Sequence, residues 1–76
     1  MYKEIFTLRL KKAREENQMT QEEISNLLRV SRTTYTNWEL GNREPDIEMI
    51  GKICEILKIN TNWLIGTDNK EKRTTF

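Results

Sequence analysis

The chain has 76 residues, a formal net charge of +1, 36% hydrophobic and 33% charged residues, one proline, one cysteine and no histidine. That length supports one domain with a modest core, and no apolar run approaches the roughly 20 residues that cross a bilayer. A lone Cys54 without histidine excludes an intrachain disulfide, a zinc site and a Cys/His nucleophile pair, so no metal, cofactor or enzymatic activity is expected.

The start "MYKEIFTLRLKK" lacks a signal-peptide core and cleavage site, so a cytoplasmic location away from membranes is expected. Charge is unevenly spread. Residues 1–17 carry five basic and three acidic side chains, whereas residues 18–45 carry three and four. A near-neutral protein can still bind nucleic acid where its cations meet phosphates locally, but the total identifies no partner.

The periodicity is helical throughout. Phe6, Leu10, Ala13 and Asn17 recur at threes and fours, which predicts a basic first helix over about residues 3–17 with one apolar stripe. "MTQEEI" is a complete start signal: Thr20 caps, Glu23 closes a capping box, and Met19 and Ile24 have staple spacing. The second helix should end near Leu28.

Ser31 caps the third, with Val30 and Tyr35 as its staple and Gly41 at its C-terminal stop, giving about nine residues. Asp46 caps a fourth helix that should bury Ile47, Ile50, Ile53, Cys54 and Leu57. Asn60 caps a short fifth, with Ile59 and Leu64 as its staple and Gly66 as its stop. The expected fold is all-α, a compact five-helix bundle. The connection "LRV" is short enough to force a sharp corner between helices two and three, as in a helix-turn-helix.

The third helix has two unlike faces. At 100° per residue, Arg32, Thr36, Leu40, Thr33 and Asn37 fall at about 0, 40, 80, 100 and 140°, and Thr34, Trp38 and Tyr35 at about 200, 240 and 300°. A plain solvated surface would favour Glu, Lys or Ala over threonine. Arg, Thr and Asn are instead types that read base edges, and no acid lies on their arc. Trp38 and Trp63 are expected in the core.

"KKAREENQMTQEEISNLLRVSRTTYTNWELGNREPDIEMIGKICEILKINTNWLIG" resembles the lambda-repressor-like DNA-binding domains, the Cro/cI-type or XRE family of helix-turn-helix regulators. The resemblance implies a DNA-binding domain over residues 1–66, with the helix-turn-helix over about 20–40, and a short polar tail over 67–76. It implies base-reading roles for Arg32, Thr33 and Asn37, with Thr36 beside them. Gln21, Asn42 and Arg43 match phosphate-binding positions, and Arg14 and Glu39 match a partly buried ion pair. The matching dimer patch comprises Ile59, Thr61, Asn62, Leu64 and Ile65. Arg29 and Lys58 depart from the family by standing where it usually has glycine, and Leu40 replaces a more usual polar residue.

The function implied is sequence-specific regulation of transcription, most naturally as a Cro-like repressor or a restriction-modification controller. Double-stranded DNA is the expected partner, bound by a homodimer, with no small-molecule ligand. The alternative is a protein-interaction module such as an antitoxin or antirepressor, which a large exposed apolar patch would favour.

Overall fold

The computed structural model describes residues 1–68; residues 69–76 of the expected tail lie outside the described residues. Five helices follow one another: α1 (Tyr2–Glu16), α2 (Gln21–Leu28), α3 (Arg32–Leu40), α4 (Ile47–Leu57) and α5 (Thr61–Ile65). The start signals act as expected. Thr20 accepts from the Glu23 amide while Glu23 accepts from the Thr20 amide, closing the capping box, and Ser31, Asp46 and Asn60 cap the next three helices.

One core joins all five helices. Phe6, Leu10 and Ala13 of α1 meet Ile24 and Leu28 of α2, Tyr35 and Trp38 of α3, Ile53, Cys54 and Leu57 of α4, and Ile59, Trp63 and Leu64 around α5. Both tryptophans are buried as expected. The Arg9 guanidinium lies 4.9 Å from the centre of the Trp63 ring, a cation–π contact that helps seat α5 on α1.

Ile47 departs from the expected apolar stripe of α4. It is 88% exposed, and at the start of α4 half-buried Met49 and Ile50 reach the core instead. Cys54 serves packing, accepting a hydrogen bond from the Thr61 hydroxyl at 3.4 Å, and burial pushes its thiol pKa up.

The corner between α2 and α3 is made by Arg29 in the left-handed region (φ 60°), and Lys58 does the same after α4 (φ 58°). Both residues thus adopt the conformation for which the family uses glycine. Gln18, at φ 58° between α1 and α2, is a third such position that the sequence did not reveal. A side chain held there costs on the order of 1 kcal/mol.

A buried ion pair fixes α1 to α3. Arg14 donates from Nε to Oε2 of Glu39 at 2.7 Å and from Nη2 to Oε1 at 3.2 Å, while its Nη1 reaches the Met19 carbonyl at 2.8 Å. The Tyr35 hydroxyl donates to Oε2 of the same carboxylate at 2.6 Å. The Glu39 side chain is only 4% exposed. Burial pushes its carboxyl pKa up, but hydrogen bonds from Arg14, Tyr35 and Gln21 outweigh that and hold it below the ordinary 4.5.

Gly51 lies exposed inside α4 with nothing within 4 Å of an added Cβ, so Gly51→Ala should raise stability by about 0.5–1 kcal/mol. At Gly66, φ is +95° and a Cβ would come within 2.9 Å of Ile5 Cγ2, so Gly66→Ala should lower stability by about 1–3 kcal/mol. Urea midpoints of the two variants, shifted in opposite directions from wild type, are the check.

Removing Glu39 strands Arg14, and Glu39→Ala should cost about 3–5 kcal/mol. The folded chain holds the Glu39 carboxyl below its unfolded value, so the unfolded state takes up the proton first. The stability this carboxylate contributes is present above pH 4.5 and lost as pH falls through the folded value. Acid titration of unfolding free energy should therefore be flatter below pH 4.5 in Glu39→Gln than in wild type.

Candidate nucleic-acid interface

The exposed side of α3 is set by which of its residues the core takes. Tyr35 and Trp38 point inward and pack edge to face with ring centres 5.9 Å apart, so the opposite arc faces out. Arg32 and Thr33 are exposed, Thr36 and Asn37 half-buried, and Leu40 is 66% exposed at the far end. The four expected base-reading residues thus share one helix face. Glu39, the acid of this helix, is turned away from it into the ion pair.

Ser31 orders the start of that helix twice. Its hydroxyl accepts from the Thr34 amide at 3.0 Å and donates to the Thr34 hydroxyl at 2.8 Å. At the other end Gly41 turns the chain at φ 81°, and the Asn37 carbonyl accepts from the amides of Asn42 and Arg43 at 3.0 and 3.3 Å. The Asn42 side-chain amide also donates to Asn37 Oδ1 at 3.3 Å. The loop is therefore fastened to the exposed face of α3, a tie that residue spacing did not reveal. Arg43 is exposed beyond it and makes no ion pair among the described residues.

Gln21 begins α2 beside this face. Its Nε2 donates to Glu39 Oε1 at 3.0 Å and its Oε1 accepts from the Thr36 hydroxyl at 3.1 Å. Gln21 thus bridges the buried carboxylate to the exposed arc. Glu22 and Glu23 share the first turn of α2, where they already complement the helix dipole. That leaves the Gln21 side chain, rather than a bare positive helix end, as the group suited to a neighbouring phosphate.

The expected dimer residues divide between core and surface. Ile59 and Leu64 are buried, at 3% and 0% exposure, so they hold α5 in place and present no face to a second copy. The resemblance implies both for its dimer patch; here they act as the staple of α5 and close over its first turn, which leaves the other three residues of that patch accessible. Thr61 and Asn62 are exposed and Ile65 is half-buried. Beside them runs an open groove lined by Gly51, Glu55, Lys58, Thr61 and Asn62. Among the described residues no cluster of metal-ligating side chains occurs, and no helix is long and apolar enough to cross a membrane.

The chain matches a family model described as a helix-turn-helix domain over residues 7–70. It is 35% identical over 68 residues to the uncharacterized HTH-type transcriptional regulator YqaE of Bacillus subtilis (strain 168), covering 90% of this chain and 59% of that protein. It is 31% identical over 65 residues to the HTH-type transcriptional regulator ImmR of the same organism, covering 86% and 51%. The SPbeta prophage-derived uncharacterized HTH-type transcriptional regulator YonR, also of that organism, is 33% identical over 61 residues, covering 80% and 56%. The chain thus spans a little over half the length of the curated relatives it matches. No solved structure matches it. With α2 and α3 joined by a sharp left-handed corner and the family model covering most of the sequence, the chain belongs to the Cro/cI-like, XRE-type helix-turn-helix domain family.

Proposed function

We propose that this chain is a sequence-specific double-stranded DNA-binding regulator of transcription, acting as a repressor, that lays α3 in the major groove. The observation that carries this is the α3 face itself. Arg32, Thr33, Thr36 and Asn37 stand together on it, free of acids, while the helix is anchored from behind by Tyr35, Trp38 and the Glu39 ion pair. Arg32 suits guanine, Asn37 suits adenine, and the threonines suit the polar edges of bases or the methyl group of thymine. The relatives' names as transcriptional regulators support the same reading.

Gln21, Asn42 and Arg43 flank that helix and are assigned to phosphates, which fix position without reading sequence. One recognition helix reads only a few base pairs, so two copies on half-sites about 34 Å apart would supply specificity. Thr61, Asn62 and Ile65 form the surface assigned to that contact. It is small beside the roughly 1,600 Å² of a standard stable interface, so operator DNA completes the dimer.

Selection from a random DNA pool should enrich a short, two-fold-related sequence; a pool without enrichment would favour the protein-interaction module instead. On the enriched site, Arg32→Ala should lose about 1–3 kcal/mol and relax preference at one base pair. Arg43→Ala should weaken all sequences alike and make the salt slope shallower by about one unit. A sequence-selective loss in the Arg43 variant would remove it from the phosphate set.

Asn62 is exposed, so Asn62→Arg places like charges near the two-fold axis without disturbing the core. Cooperative binding to the two-half-site operator should disappear while weaker half-site binding persists. Unchanged affinity for the full operator would move the interface elsewhere.

A further inference from the structure

The chain of hydrogen bonds from Glu39 to Thr36 fixes which way each proton points. Arg14 engages both oxygens of Glu39 and Tyr35 adds a third donor, so the group is an ionised carboxylate that can only accept. Gln21 meets it at 3.0 Å and must therefore present its NH2 group; the flipped amide would set two oxygens against each other. That orientation directs Gln21 Oε1 at the Thr36 hydroxyl, 3.1 Å away, and an amide oxygen has no proton to give. Thr36 must be the donor in that bond.

A hydroxyl has one proton, and Thr36 has used its own on Gln21. What remains on the outward side of α3 is a pair of oxygen lone pairs and a methyl group. We infer that Thr36 reads DNA as a hydrogen-bond acceptor only, selecting the exocyclic amino group of adenine or cytosine over guanine O6 or thymine O4. Gln21 and Glu39 act as positioning residues that impose this polarity from inside the protein. The inference rests on the assignment of α3 to the major groove and adds to it the chemical sense of one contact. It also leaves the second Nε2 proton of Gln21 for a phosphate oxygen, so both roles of that side chain are compatible.

An ordinary exposed threonine carries no such restriction, because its hydroxyl rotates to donate or accept as the base requires. The difference is measurable on modified operators. The base pair beneath Thr36 is first located as the one whose preference disappears in Thr36→Val, which keeps the shape and removes the hydroxyl. The amino group at that pair is then deleted, with purine in place of adenine or pyrimidin-2-one in place of cytosine. Wild type should bind the deleted operator about three- to tenfold more weakly, the range of one hydrogen bond, and Thr36→Val should not respond.

The relay is tested with Gln21→Leu, whose fold is followed by circular dichroism. Releasing the Thr36 proton should let the variant bind amino and carbonyl bases at that position within about twofold of each other, by freeing a hydroxyl that can both donate and accept. Loss of the Gln21 phosphate contact should lower affinity for all sequences alike, but preference at the Arg32 base pair should be retained, whereas a general structural defect would erode preference at every position. Glu39→Gln, if folded, should relax the same single position, since its amide lets Gln21 turn over.

Three results overturn the inference: wild type indifferent to loss of the amino group, Thr36→Val without effect at any base pair, or Gln21→Leu with the wild-type preference intact. They are distinct from failure of the DNA-binding assignment, which would appear earlier as a random pool with no enriched sequence and would remove the inference with it.

Discussion

A carboxylate buried between three helices organises the half of this protein that carries the proposed DNA surface. Glu39 receives Arg14 from α1, Gln21 from the start of α2 and Tyr35 from its own helix. Each donor offsets part of the cost of removing the charge from water, and each is held in turn by the carboxylate. The geometry is cooperative in that sense: without the charge, the three donors have no common acceptor. Because Glu39 lies on α3, the arrangement sets the rotation of that helix about its own axis, and the polar arc faces outward as a consequence.

The remaining constraints are tight turns. Arg29 and Gly41 bound α3 in left-handed conformations, so its start and end are both fixed by backbone geometry. Arg29 keeps the corner at a cost that glycine would avoid, while its long side chain stays exposed at the turn. The protein tolerates the same strain at Gln18 and Lys58.

The proposed recognition and association surfaces lie on different parts of the bundle. The proposed reading face depends on hydrogen bonds between side chains, whereas the α5 surface depends on what the core leaves exposed after taking Ile59, Trp63 and Leu64. With both of its staple residues buried, α5 offers little apolar area to a second copy. That balance suits association driven by adjacent sites on one DNA molecule, in which the second binding event is effectively intramolecular. The curated relatives extend well beyond the matched region, so in them the helix-turn-helix domain is one part of a longer chain.

The sequence by itself determined the five helices, their starts and the identity of the exposed arc. Caps such as Thr20 with Glu23 or Asp46 with Met49 act across three residues, and the spacing of Phe6, Leu10 and Ala13 is itself the apolar stripe, so local chemistry carried that information. Arg14 and Glu39 were legible as a pair through the family resemblance. Gln21, 18 residues from Glu39 and 15 from Thr36, was not legible as the link between them. Nor was the Asn42 tie to Asn37, the exposure of Ile47 or the complete burial of Leu64. Those features depend on how the helices cross and on which side chain reaches a shared space first. Periodicity assigns a residue to a face but not to a partner, so only the tertiary structure decided where each proton on the proposed DNA surface could point.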